Sequence, residues 1–149
     1  MPIIGSHFNK ICLKRERLEA EIKLSRVNLN VTITDVRKKE FVLGKEKKSV
    51  AIFAYEFRAD YILEKPKGKK LGEIVIEGEI VYLDEEEKIK GIVQKWKEER
   101  KIEEEVFKPI LQLAIEESQI EAIYLSKKVL LPPPVALPRA KIERPSYIG

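Results

Sequence analysis

The sequence predicts an α+β protein: a four-stranded antiparallel sheet with helices packed on one face, followed by an apolar, proline-rich extended segment. Long stretches of alternating apolar residues fill the first half of the chain, and helical periodicity begins abruptly at Asp84. Prolines interrupt an aliphatic stretch after the last helical pattern. We therefore expect a single domain over residues 1–149, with the sheet in 8–83, the helices in 84–128 and the tail in 129–149.

The clearest strand signal runs from Ala51 to Leu63, where apolar side chains alternate with Glu56, Arg58 and Asp60. The apolar face of this strand comprises Phe53, Tyr55, Phe57, Ala59, Tyr61 and Leu63. Leu71–Leu83 alternates in the same way after a lysine-rich turn. The two stretches predict an antiparallel hairpin with one buried face.

Two more strands are expected upstream of this hairpin. Ile22–Val36 alternates over a long stretch, and a change of parity near Ser25-Arg26 predicts a β-bulge. Arg37–Ser49 is charged and contains a glycine, so we expect a hairpin loop there. Phe8–Glu19 fits a strand or a short helix, and we favour the strand.

Two helices follow Asp84. The acidic run that begins there suits the positive end of a helix dipole, and Ile89, Ile92, Val93 and Trp96 then recur at helical spacing. The second apolar pattern comprises Val106, Phe107, Ile110, Leu111, Ala114, Ile115, Ile120 and Ile123. We expect Pro109 to kink this helix or to open its first turn, and the helix to end near Lys127-Lys128.

The stretch from Val129 to Pro138 cannot be a helix or a central strand, because its four prolines fix φ and lack a backbone donor. A disordered linker is normally polar, whereas this stretch is aliphatic between its prolines. Either the protein's own core or a partner must bury it. Both possibilities remain open at the level of the sequence.

The residue inventory argues against an enzyme, a metal site or a cofactor. One cysteine and one histidine cannot build a cysteine/histidine metal cluster. We expect Cys12 to be a buried or half-buried structural thiol and His7 to be inert in a frayed terminus. Glu73, Glu77 and Glu79 alternate along one strand with no histidine nearby, which indicates a solvated face rather than catalytic carboxylates.

Composition suggests a cytoplasmic protein of a thermophilic prokaryote. The chain carries 36% charged residues with a net charge of +4, and lysine and glutamate greatly outnumber asparagine and glutamine. We find neither a signal peptide nor an apolar run long enough for membrane insertion. The basic first half leaves a nucleic-acid-binding module as an alternative, although the aromatic residues occupy the strand face without charges.

The order of these elements resembles the SecB family of protein-export chaperones. Phe107-Lys108-Pro109, followed by Ile110 to Ala114, looks like the family's aromatic and proline entry into its main helix. Leu130 to Pro138 looks like the family's apolar proline stretch. The chain departs from the pattern at Arg139 to Ile142, where the family has an asparagine-phenylalanine motif, and we expect no counterpart of the family's last helix.

The resemblance implies a chaperone (holdase) that binds unfolded or extended polypeptides in apolar grooves of a homo-oligomer, a dimer or a homotetramer. The residues nominated to line the groove are Val129, Leu130, Leu131, Pro132, Pro133, Val135 and Leu137. Net positive charge disfavours docking to the SecA translocase motor, which SecB proteins engage through an acidic surface. A dedicated adaptor or antitoxin-associated chaperone for one partner is the other alternative.

Overall fold

The computed structural model describes residues 3–17, 23–65 and 67–134. It contains a four-stranded antiparallel sheet, with strand order β1-β4-β3-β2, and two helices, which makes it an α+β protein as predicted. The strands are β1 Ile3–Arg15, β2 Lys23–Leu43, β3 Glu46–Lys65 and β4 Lys70–Leu83. The helices are α1 Glu86–Glu99 and α2 Glu104–Lys128.

The core lies between the helices and one side of the sheet, which we call the helix face. Strand β3 carries the alternation that its sequence predicts: Phe53, Tyr55, Phe57 and Tyr61 are at most 2% exposed. Antiparallel pairing places Ile74, Ile76 and Ile80 of β4 on the same face. Burial of these large side chains is the main favourable term in the stability of such a sheet.

The core divides into two clusters along the length of the sheet. The first joins α1 and the start of α2 to the sheet and includes Phe53, Trp96 and Ile110. The second lies under the end of α2 and includes Tyr61, Leu125 and Leu131. Val31 of β2 packs against both clusters and connects them.

Two glycines of β4 lie on the helix face where other groups approach the backbone closely. A Cβ at Gly78 would lie 2.6 Å from the Tyr55 hydroxyl oxygen and 2.8 Å from the carbonyl oxygen of His7. A Cβ at Gly72 would collide with the carbonyl oxygen of Lys14 and lie 3.3 Å from a methyl group of Leu131. Both positions therefore require the absence of a side chain.

The expectation of a loop over Arg37–Ser49 is wrong. Strand β2 continues to Leu43 and β3 begins at Glu46, with a tight turn in which Gly44 has a φ of +67°. The last residue of β4, Leu83, pairs with Val50, so residues 40–49 form a two-stranded arm beyond β4. Solvent reaches this arm, so its strands can be rich in charge, which makes their sequence resemble a loop.

The other local expectations had mixed outcomes. The β-bulge near Ser25-Arg26 is confirmed by a shift of register between Leu24 and Arg26. Strand β1 is present but begins at Ile3, so His7 lies within a strand rather than in a frayed terminus. Pro109 does not open α2, which begins at Glu104. Neither helix in the described part of the chain is long and apolar enough to cross a membrane.

Candidate polypeptide-binding groove

Helix α2 ends in a Schellman motif that turns the chain back towards the sheet. The backbone N–H of Leu131 donates to the carbonyl oxygen of Ser126 at 2.9 Å, and that of Leu130 to Lys127 at 3.4 Å. Leu130 has a φ of +56°, the left-handed conformation that this motif usually gives to glycine. Leu131 is buried in the same cluster as Leu125, which supplies the hydrophobic contact of the motif.

After this turn the chain runs back along α2. We call residues Leu131–Pro134 the strap. The buried Tyr61 hydroxyl of β3 donates a hydrogen bond to the carbonyl oxygen of Pro132, and the Gln119 amide of α2 donates to that of Pro134 at 3.3 Å. Gln119 lies well before the end of α2, so the strap is antiparallel to the helix. It contacts both α2 and the sheet, and we call the space that it fills between them the groove.

The edge strand β1 fastens the turn that leads into the strap. The Arg15 guanidinium donates to the carbonyl oxygen of Val129 at 3.1 Å and to that of Leu130 at 2.7 Å. Arg15 pairs with Gly72 in the sheet, and Leu131 lies against Gly72. The missing side chain at position 72 therefore makes room for the leucine that begins the strap.

Burial in the groove alters the chemistry of Tyr61. Loss of solvent raises the pKa of its phenol from 10.0 to about 12. The neutral hydroxyl is thus the stable form across the physiological range, and it remains a hydrogen-bond donor. The groove consequently offers Tyr61 and Gln119 as uncharged donors to a backbone carbonyl, above an apolar floor that includes Leu71 and Ala122.

The structure separates the predicted groove-lining residues into two sets. Leu131 is 5% exposed and Val129 is half-buried, so both help to close the protein's own core. Leu130 is 83% exposed, and Pro132 and Pro133 are also exposed. Val135 and Leu137 lie outside the described residues. Self-burial thus accounts for Val129 and Leu131 and leaves Leu130, Pro132 and Pro133 accessible.

Helix α2 also exposes large apolar side chains near its end. Ile120 is 71% exposed and Tyr124 is 59% exposed, and the two are neighbours on one helix face. The ammonium group of Lys128 lies 4.7 Å from the centre of the Tyr124 ring. Ile120 belongs to the predicted apolar helical pattern but does not face the sheet, because the sheet side of α2 is filled by Ala114, Ser118 and Ala122.

The opposite side of the sheet, which we call the charged face, carries the three glutamates of β4. Glu79 lies 2.8 Å from the Arg37 guanidinium and 3.0 Å from His7, so the expectation that no histidine is nearby is wrong. Burial alone would raise the pKa of Glu79, but hydrogen bonding and charge from Arg37 outweigh it, so that pKa is lowered. Its carboxylate is thus held by the Arg37 guanidinium from β2 and by a ring nitrogen of His7 from β1.

The other glutamates of the charged face are paired too. Glu73 lies 3.5 Å from Arg58, whose guanidinium also contacts Glu56 and Asp60 at 3.3 and 3.2 Å. Within the described residues, no group of three or more histidine, cysteine, aspartate or glutamate side chains could hold a metal ion. Cys12 is exposed rather than buried, since it lies on an edge strand.

The donors that hold the strap could not have been nominated from sequence. Tyr61 is separated from Pro132 by 71 positions, and Arg15 from Leu130 by 115. Tyr61 has the same period-two signal as its core neighbours, and nothing local distinguishes its hydroxyl. No model of a known protein family matches this chain, and no curated protein matches it in sequence.

Proposed function

We propose that this protein is a SecB-like holdase, which binds unfolded or extended polypeptides in apolar grooves of a cytoplasmic homo-oligomer and keeps them competent for export. One observation carries the proposal. The groove between α2 and the sheet holds an extended apolar segment through backbone carbonyl groups. A client chain has the same carbonyl groups at every residue.

Contacts of this kind suit a binder of many sequences. Hydrogen bonds from Tyr61 and Gln119 to backbone oxygens do not depend on the identity of the bound side chains. The apolar cluster that buries Leu131 requires only an aliphatic group of suitable size. Affinity would therefore follow from extended conformation and apolar character, which unfolded polypeptides share.

The exposed leucine at the turn is a second argument. A non-glycine residue in the left-handed conformation costs about 1–2 kcal/mol. Leu130 has this conformation, yet burial does not compensate for it, since the side chain is 83% exposed. Strain of this kind often accompanies a functional contact. With Ile120 and Tyr124, Leu130 gives this end of the molecule apolar surface that a client can cover.

The order of sheet, helices and apolar tail supports the SecB-like assignment, and the sheet edges support assembly. Strand β1 lies at one edge, and Ile4 and Ile11 on it are 48% and 43% exposed. An exposed edge strand with apolar side chains favours pairing with another chain. A homo-oligomer built through β1 would cover them.

Nucleic-acid binding gains no support from the aromatic strand. Phe53, Tyr55, Phe57 and Tyr61 are at most 2% exposed, so their rings are not available to stack on bases. An adaptor dedicated to one partner would use the same groove, but it would bind one client, whereas a holdase binds many. The experiment below distinguishes the adaptor from the holdase by the number of clients.

The test is suppression of aggregation of chemically unfolded clients. The protein should suppress aggregation of several unrelated clients at a near-stoichiometric ratio and should sediment as an oligomer. Ile120→Lys/Tyr124→Lys should weaken suppression, whereas Val42→Lys should not, because Val42 is similarly exposed (65%) but lies on the β2–β3 arm. Absence of suppression by an intact oligomer would refute the proposal, and suppression for a single client would favour the adaptor.

A further inference from the structure

We infer that the strap is a built-in competitor: clients enter the groove between α2 and the sheet by displacing Leu131–Pro134. This inference rests on the proposed function and adds its regulation. In the free protein the groove is already filled by a segment of the chain itself. Client binding would then be an exchange of one extended peptide for another.

The strap is held by few contacts. Two side-chain hydrogen bonds, from Tyr61 and Gln119, and the buried side chains of Leu131 and Pro134 fasten it. Within the described residues, its only backbone hydrogen bond is the Schellman bond of Leu131, and Pro132 and Pro133 are exposed. A segment fastened in this way can open without unpairing a β-strand or unwinding α2.

The groove would require a replacement once the strap leaves. Tyr61 lies on β3 beneath the strap, and without Pro132 its hydroxyl would lose its protein acceptor and donate to water instead. The apolar side chains that cluster with Leu131, which include Leu71 and Ala122, would be exposed to water, which is unfavourable. Another aliphatic side chain removes this penalty, and another peptide carbonyl restores the hydrogen bond of Tyr61. The vacated site is therefore complementary to extended polypeptide.

The contacts also indicate which client segments fit best. The groove uses only acceptors on Pro132 and Pro134, and prolines have no N–H to satisfy. A segment with an aliphatic residue followed by a polyproline II stretch would reproduce both features. The preferred client class is thus an aliphatic residue followed by extended, proline-containing chain, rather than a preformed helix.

A peptide-binding experiment on the full chain tests this inference. The probe is a labelled synthetic peptide with the sequence of residues 131–138, which lacks the two carbonyl groups that Arg15 binds, and its affinity is measured by fluorescence anisotropy. Leu131→Ala weakens the strap without altering the donors of the groove, so peptide affinity should rise at least about tenfold over the unmodified chain. Adding Tyr61→Phe to Leu131→Ala should lower the affinity again by about three- to tenfold.

Two further variants keep the result interpretable. Arg15→Ala releases the carbonyl oxygens of Val129 and Leu130 at an exposed site, so it should raise peptide affinity a few-fold even if Leu131→Ala folds poorly. Val42→Ala on the β2–β3 arm is the matched control and should leave affinity unchanged. The fluorescence of Trp96, which belongs to the other core cluster, checks that each variant is folded.

Equal peptide affinity in the unmodified chain, Leu131→Ala and Arg15→Ala would overturn the inference, even if the protein suppresses aggregation. A gain of affinity in both variants would support it, even if the aggregation assay fails. The peptide-binding experiment therefore tests the role of the strap, whereas the aggregation assay tests the proposed function, and either result can be negative without the other. A peptide with aspartate in place of the leucine equivalent to Leu131 should bind weakly to every variant. Tight binding of this peptide would contradict a buried aliphatic contact at that position.

Discussion

Gly78→Ala is the substitution for which the fold makes the sharpest prediction. Gly78 lies on β4 between the ring of Tyr55 and the carbonyl oxygen of His7, which belong to two different strands. An added methyl carbon would lie 2.6 Å from the Tyr55 hydroxyl oxygen, 2.7 Å from its Cζ atom and 2.8 Å from the His7 oxygen. Ordinary contacts between such atoms are about 3.5 Å or longer. The ring and the β1 backbone must therefore both move.

The cost can be bounded from the surroundings. Tyr55 is 2% exposed, and its hydroxyl is 3.5 Å from that of the fully buried Ser118 on α2, so the ring cannot shift without disturbing the helix layer. Overpacking of this kind destabilises a protein by about 1–3 kcal/mol. For a urea dependence of about 2 kcal/mol per molar, a loss of about 2 kcal/mol lowers the midpoint of unfolding by roughly 1 M.

The assay is equilibrium urea unfolding followed by the fluorescence of Trp96. Gly91→Ala is the matched control, because Gly91 is an exposed residue of α1 with nothing within 4 Å of an added Cβ. The same substitution there should stabilise the helix by about 0.5–1 kcal/mol. The two alanine variants should therefore shift the midpoint in opposite directions. Equal shifts, or no loss for Gly78→Ala, would refute the close approach of Tyr55 to β4.

Three further substitutions test the electrostatics of the fold. Burial raises the pKa of the Tyr61 phenol to about 12. The stability contributed by the neutral hydroxyl is therefore complete below pH 10 and is lost as the pH rises towards 12. Tyr61→Phe should flatten this alkaline decline in the free energy of unfolding. Arg37 lowers the pKa of Glu79. The stability contributed by the Glu79 carboxylate is therefore present above the ordinary pKa of 4.5 and is lost as the pH falls through the lowered pKa. The Glu79→Gln variant should lose less stability on acidification than the unmodified chain. Arg58→Gln should destabilise by less than about 1 kcal/mol at low salt, and high salt should reduce the difference.

Each of these predictions has a control and a contrary result. Tyr124→Phe, at an exposed ring, should leave the alkaline decline unchanged, and an equal effect of both tyrosine variants would contradict a special role of Tyr61. Glu46→Gln lies at the exposed arm and should behave like the unmodified chain in acid. A salt-independent loss for Arg58→Gln would indicate that packing rather than charge is responsible.

The local sequence pattern was sufficient to predict a strand wherever the burial of one sheet face determines which positions are apolar. The alternation in β3 and β4 predicts both strands, because their aromatic and aliphatic side chains fill the core beneath the helices. The bulge near Arg26 was predictable for the same reason, since it restores the apolar residues of β2 to the helix face. The arm over residues 40–49 was not predictable, because both of its faces are reached by solvent.

The groove shows the limit of sequence reasoning more clearly. The proline content of the tail predicted an extended segment, but not that it would turn back along α2. That turn depends on a backbone motif with Leu130 in a conformation that glycine usually adopts. The partners of the strap come from β1, β3 and α2, and only the complete fold brings them together.

The division of the core into two clusters gives the two ends of the molecule different tasks. The cluster around Trp96 joins both helices to the sheet without contribution from the strap, whereas the cluster around Tyr61 includes Leu131. Removal of the strap would loosen only the second cluster. Native-state hydrogen exchange should then report two opening energies, a lower one around Tyr61 and a higher one around Phe53. The Trp96 cluster can thus keep the helices packed on the sheet while the Tyr61 cluster exchanges the strap for a client segment.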